Sequence, residues 1–156
     1  MFDIEAITRK AYLFSTSANL ERNIHPFVSR CIHKSLPVDV KNLFDNKHYA
    51  QATFEACKYL DNLIARLCLS SENGKSLMMT AFNESKPIIK LNLGKTESDK
   101  NEQEGYKFLF AGTIVGIRNP RGHKISVNDD EEMCLEHLSV ISHLLTKLES
   151  VGYSIN

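Results

Sequence analysis

The chain has 156 residues, 42% of them hydrophobic and 24% charged, which is enough for one domain with a sizeable core and ordinary for a soluble globular protein. Lys and Arg total 19 against 19 Asp and Glu, so no global field draws the protein to nucleic acid, which argues against a coating protein but leaves room for a local basic cleft. The longest apolar run, residues 108–117, is far short of the ~20 residues that cross a bilayer; with Asp3 and Glu5 at the start and no apolar leader, a cytoplasmic location and no membrane partner are expected.

In chain order, residues 4–36 read as helical. His25-Pro26 starts a second helix there, because proline fits a first turn, and Pro37 closes the segment. Residues 48–69 form the clearest helix. Ala52, Phe54, Cys57, Leu60, Ile64, Leu67 and Cys68 recur at helical spacing, while Gln51, Glu55, Lys58, Asp61 and Asn62 fall on the wetter side. Residues 70–104 form a longer irregular segment. It holds Asn73-Gly74, Pro87 and Gly94, with a short helix over 77–82, an extended piece over 87–93 and a mobile polar run over 95–104.

A helix over 103–117 follows, and Pro120 ends or kinks it by driving Asn119 away from helical geometry. The last helix starts at Asn128 with Glu131 as its capping box and closes at Gly152. The expected fold is all-α: a bundle of about four to five main helices in a single domain over residues 1–156, with N-terminal helices to 45 and the core bundle from 46.

Gly74-Lys75-Ser76 and Gly94-Lys95-Thr96 mimic the end of a phosphate-binding loop, but Leu69 and Ile89 stand where the earlier glycine is needed. Turn chemistry explains both. Cys31, Cys57, Cys68 and Cys134 form no CxxC pair and read as reduced thiols. The six histidines lack the spacing of helical metal ligands, so no metal and no cofactor is expected, and His137 and His143 read as surface or edge residues on the last helix. Gly112 and Gly116, four apart on an apolar helix, fit close packing either against the helix over 48–69 or at a dimer seam.

The stretch Arg118-Asn119-Pro120-Arg121-Gly122-His123 puts a guanidinium, which matches phosphate oxygens two at a time, near an imidazole that titrates near neutral pH. Arg118 also suits a helix C-terminus, with His123 capping the last carbonyls. The catalytic alternative gains from the blocks that precede it in order. These are Tyr49-Ala50-Gln51-Ala52-Thr53-Phe54-Glu55-Ala56, Gly74-Lys75-Ser76-Leu77-Met78-Met79-Thr80-Ala81-Phe82, and Gly105-Tyr106-Lys107-Phe108-Leu109-Phe110-Ala111-Gly112, ending at Gly116-Ile117-Arg118-Asn119-Pro120 and His123.

In these blocks the chain resembles the HEPN superfamily of metal-independent endoribonucleases, and more closely its Ymh-type branch of bacterial and phage-defence proteins. The resemblance implies a HEPN-like bundle, a homodimer with a composite cleft, and a toxin or antiphage effector restrained by an antitoxin or other partner. It implies cleavage of single-stranded RNA by the ribose 2′-OH, with His123 as general acid–base, Arg118 on the scissile phosphate, Asn119 orienting that phosphate or the histidine, and Arg121 and Lys124 on flanking phosphates. Some relatives carry a modifiable tyrosine two residues after the histidine; here that position is Ile125. A catalytically silent module that dimerises and binds RNA or a partner protein is the competing expectation.

Overall fold

The computed structural model describes residues 7–9, 24–123 and 127–155. Among these the structure is all-helical, with no strand, as the periodicity predicts. Seven helices follow one another: α1 Pro26–Ser29, α2 Val38–Asp45, α3 Tyr49–Cys68, α4 Gly74–Ala81, α5 Glu97–Gly112, α6 Asn119–His123 and α7 Glu131–Ser150. A π-helical turn, Thr113–Arg118, joins α5 to α6. No described helix is long and apolar enough to cross a membrane.

The helix α3 is the axis of the bundle. It packs against α2, α4, α6, α7 and the π turn, burying Ala52, Ala56, Cys57, Leu60 and Ile64 against Leu138, Ile141, Leu145, Ile114 and Phe110 in one core. Each leucine, isoleucine or phenylalanine among them contributes roughly 1.5–3 kcal/mol on burial, each alanine less. Asp61, expected on the wet side, is buried instead. Its carboxylate accepts the Gly74 amide through both oxygens at 2.9 and 3.2 Å. The C-terminus of α3 turns through Leu69 in left-handed geometry, φ 50°, and Ser70 donates back to the Ala65 carbonyl.

Ahead of α3, the second helix starts at Pro26 as expected but is a single turn; of the helix expected before it, residues 7–9 are described and helical, and the rest lies outside the described residues. The His25 ring caps α1 by accepting the Phe27 amide at 3.1 Å through Nδ1, and its Nε2 meets Asp45 at 2.7 Å. Cys31, at φ 51°, lies in the turns that follow. Pro37 is the N-cap of α2, so it opens a helix as well as closing the segment before it.

The irregular segment is shorter than expected, because α4 starts at Gly74 and α5 at Glu97. The polar run over 95–104 is not a mobile loop. Thr96 and Asp99 form a capping box, Thr96 accepting the Asp99 amide while the Asp99 carboxylate takes the amides of Lys95 and Thr96. The piece over 87–93 pairs with no strand. Buried Gln103 holds it, accepting the Leu91 amide at 2.9 Å and donating to the Ile89 carbonyl at 2.9 Å. Both phosphate-loop look-alikes thus have backbone amides taken by the chain's own carboxylates, Asp61 and Asp99.

The last helix begins at Glu131, with Asp130 as N-cap accepting the Met133 amide at 2.8 Å. Asn128 is therefore not the start, since Asp130 offers its carboxylate two residues later. At the other end Gly152, φ 95°, makes the expected cap: its amide bonds Glu149 and the Tyr153 amide bonds Leu148.

Candidate active site

The chain remains helical through Pro120, contrary to expectation: Asn119 has φ −62° and ψ −42° and starts α6. A proline inside a regular α-helix removes one donor and clashes with the carbonyl four residues back. Here the wider π turn lies directly upstream, and the Asn119 amide reaches back five residues to the Ile114 carbonyl. Upstream, the Thr113 hydroxyl donates to the Leu109 carbonyl at 2.8 Å, a contact that bends helices. Such π turns recur where a helix is reshaped for a function.

The two arginines of the segment have opposite surroundings. Arg121 is locked. Its Nε and Nη2 donate to the two oxygens of Asp129, each at 2.7 Å, and its Nη1 donates to the Ile117 carbonyl at 2.6 Å. The pair is buried, with side chains 7% and 5% exposed. Arg121 was expected on flanking phosphates; reaching one would mean breaking a buried bidentate pair, so its observed work is structural.

Arg118 has no carboxylate partner among the described residues. Its guanidinium carbon stands 5.8 Å over the Phe54 ring, and Nη1 has one long contact, 3.4 Å, to the Asn119 side-chain oxygen Oδ1. Its Nε is buried without an acceptor. An unsatisfied buried donor costs roughly 1–3 kcal/mol and calls for an explanation.

Asn119 and His123 are the first and last residues of α6. Of His123 the structure describes the backbone; Lys124 and Ile125 lie outside the described residues. Gly122 lies against Phe54, where a Cβ would come within 3.1 Å of the ring.

The residue that sequence reasoning missed is His137. Expected at the surface or edge of the last helix, it is half-buried on α7, and its Nδ1 accepts from Arg121 Nη2 at 3.1 Å. A guanidinium only donates, so the proton of this imidazole sits on Nε2. Burial, then the Arg121 charge, holds its pKa below the usual histidine value. The signal was its place three residues after Cys134 and four before Ile141, on the inner stripe of α7.

Beneath the site, burial pushes the Cys57 thiol up to about 12, despite the opposing charges of Arg121 and Arg118. It is an inert core thiol. Beside Asp129 runs a groove of about 240 Å³, lined by Lys47, His48 and Gln51 from the start of α3 and by Val127 and Asn128. A larger cleft of about 430 Å³, lined by Glu84, Lys90, Asn92, Lys100 and Gln103, includes none of the expected site residues.

Gly112 and Gly116 do not pack against α3. A Cβ on either meets no atom within 4 Å. Together with exposed Phe108, Leu109 and Val115 they form an apolar stripe along α5 and the π turn, leading to Arg118.

The chain matches, over residues 30–148, the model of a family described as a protein of unknown function, Hypoth_Ymh. The match includes the whole segment from Arg118 to His123. Neither the curated proteins nor the solved structures contain a match to the chain.

Proposed function

The chain belongs to the Hypoth_Ymh family, and from its site we propose that it is a metal-independent endoribonuclease of HEPN type. The observation that carries this reading is the contrast between its arginines. Arg121 is spent on Asp129, whereas Arg118 is kept clear of carboxylates with a buried donor left over. A phosphate oxygen supplies the acceptor that the Arg118 Nε lacks.

In the proposed reaction the ribose 2′-oxygen attacks the adjacent phosphorus and the bond to the 5′-oxygen breaks. The products are a 2′,3′-cyclic phosphate and a 5′-hydroxyl. Intramolecular attack gains from proximity. His123 takes the 2′-OH proton and a histidine returns one to the leaving oxygen. Arg118, with Asn119 beside it, stabilises charge on the phosphoryl oxygens. Lys124 and the groove at Lys47 and His48 carry the flanking chain through sequence-blind contacts.

Helix geometry favours the composite dimer that the resemblance implies. Positions 118 and 123 are five apart, which on a helix of 3.6 residues per turn is about 140° around the axis. One helix therefore does not present both on one face. A two-fold partner sets the histidine of one subunit against the arginine of the other, and the exposed stripe over Phe108, Leu109, Gly112, Val115 and Gly116 is the seam. The resemblance implies a toxin or antiphage-effector role, and an RNase with no base-reading motif needs a partner to restrain it.

Wild-type protein is expected to cut single-stranded RNA in excess EDTA. His123→Ala and Arg118→Ala each abolish cleavage, and the double variant is no worse, because both act in one step. Activity that depends on added divalent metal defeats the mechanism. The same apolar stripe also favours a second reading, a silent dimerising module. A dimeric wild type that binds RNA without cutting it selects that one.

A further inference from the structure

One aromatic ring of α3, Phe54, touches the site segment at two points. The Arg118 guanidinium carbon lies 5.8 Å above its centroid, and Gly122 faces its edge so closely that a Cβ would come within 3.1 Å of Cε2 and 3.8 Å of Cζ. Residues 118 and 122 are four apart, on successive turns of one face, so the ring spans the stretch that ends at His123. It is half-buried, packed at its edge and open enough at its face to take a cation.

A guanidinium can be held by a carboxylate or by a π face. A carboxylate grips more tightly but takes up the donors and neutralises the charge, as Asp129 does to Arg121. A ring attracts the cation by its quadrupole, roughly 0.5–2 kcal/mol, and leaves every N–H free. Apart from the 3.4 Å contact to Asn119, the ring is the partner the structure gives Arg118. Gly122 adds the second constraint: with no side chain, it brings the backbone of α6 down onto the ring edge.

We propose that Phe54 is a positioning residue: its ring holds the Arg118 guanidinium in place with its donors free and, through Gly122, sets the height of α6 beneath His123. The activity arm of the test rests on the ribonuclease reading; the spectroscopic arm does not.

The full-length protein is compared with Phe54→Leu and Phe54→Tyr. The spectroscopic arm follows the Arg118 Nε–H resonance, assigned by its loss in Arg118→Lys. A buried N–H over a ring is displaced by the ring current and exchanges slowly with water. That signature is expected in wild type, retained in Phe54→Tyr, and collapsed to an exposed-arginine position in Phe54→Leu. A resonance unmoved in Phe54→Leu overturns the proposal whatever the activity.

In the activity arm, Phe54→Leu lowers kcat on a single-stranded RNA by on the order of tenfold or more, as misplaced catalytic groups do, and Phe54→Tyr restores most of it. If wild type cuts no RNA yet the resonance moves as stated, the positioning role stands and the ribonuclease reading fails. Should Phe54→Leu not fold, Gly122→Ala presses the same ring from the other side; it is expected to shift the same resonance, and no shift overturns the proposal.

Discussion

At the residue scale the site is organised by what each cation is denied or given. Arg121, Asp129 and His137 form one buried cluster from three parts of the chain: α6, the loop before α7, and α7 itself. Removing one partner of a buried pair leaves an uncompensated charge and costs roughly 3–5 kcal/mol, more than replacing the pair by apolar groups. Asp129→Asn is therefore expected to lower stability by about 3 kcal/mol in denaturant unfolding, and Arg121→Met combined with Asp129→Leu to lose less than Asp129→Asn alone. Equal losses would mean that the pair contributes by shape alone.

His137 makes the same cluster pH-dependent. Its folded pKa lies below the ordinary value of 6.5, first by burial and then by the Arg121 charge, opposed by Asp129 and Glu136. The unfolded chain thus binds the proton more readily. The stabilisation is complete above the unfolded value and is lost as pH falls through it toward the folded one. Between about pH 7.5 and 5.5 the Tm of wild type should fall more than that of His137→Asn, whose amide oxygen keeps an acceptor for Arg121 without titrating. The carboxylates held low by their partners, Asp45, Glu84, Asp99 and Glu102, titrate in a more acidic window and are common to both proteins. Parallel Tm curves would show that His137 is not the titrating group. None of this cluster was legible from spacing, since Arg121, Asp129 and His137 meet only in the folded bundle. Arg118 and His123 stood out because both residue types and their interval lie within one short stretch.

At the element scale, apolar periodicity located α3 to within a residue at each end, because its buried positions repeat from Ala52 to Ile64, about three turns. It also predicted the C-terminal cap of α7 at Gly152. The failures lie where local polar chemistry decides. Residues 95–104 look like a loop by composition, yet a capping box and an amide-binding carboxylate start α5 at Glu97, and apolar residues enter the helix only later. Thr96→Ala removes the acceptor for the Asp99 amide and should cost about 1 kcal/mol, read as faster amide exchange through the first turn of α5. Exchange unchanged from wild type would show that Asp99 alone suffices. Pro120 misled for a related reason. Its rule assumes a regular α-helix on the N-terminal side, and the π turn Thr113–Arg118 removes that premise. Sequence periodicity of 3.6 cannot register a single wide turn.

At the scale of the whole molecule, the open question is what covers the stripe on α5. The sequence left Gly112 and Gly116 with two fits, inside the bundle or between subunits, since glycine permits close approach in both. The bundle leaves both facing open space, with Phe108, Leu109 and Val115 exposed beside them. This separates two effects of one substitution. Within a subunit Gly112→Leu meets no obstacle and replaces the worst helix former short of proline, a gain of up to about 1 kcal/mol. Across a close helix–helix seam the same side chain forces the backbones apart and is destabilising. The proposed dimer therefore predicts opposite signs: Gly112→Leu folds as well as wild type or better, yet light scattering at micromolar concentration finds it monomeric where wild type is dimeric. RNA cleavage by Gly112→Leu should fall with the dimer fraction and recover at high protein concentration, because Arg118 and His123 remain in every chain and only their juxtaposition is lost. A Gly112→Leu protein that stays dimeric and active would put the seam on another face. A wild type that is monomeric and active would end the composite-site reading altogether.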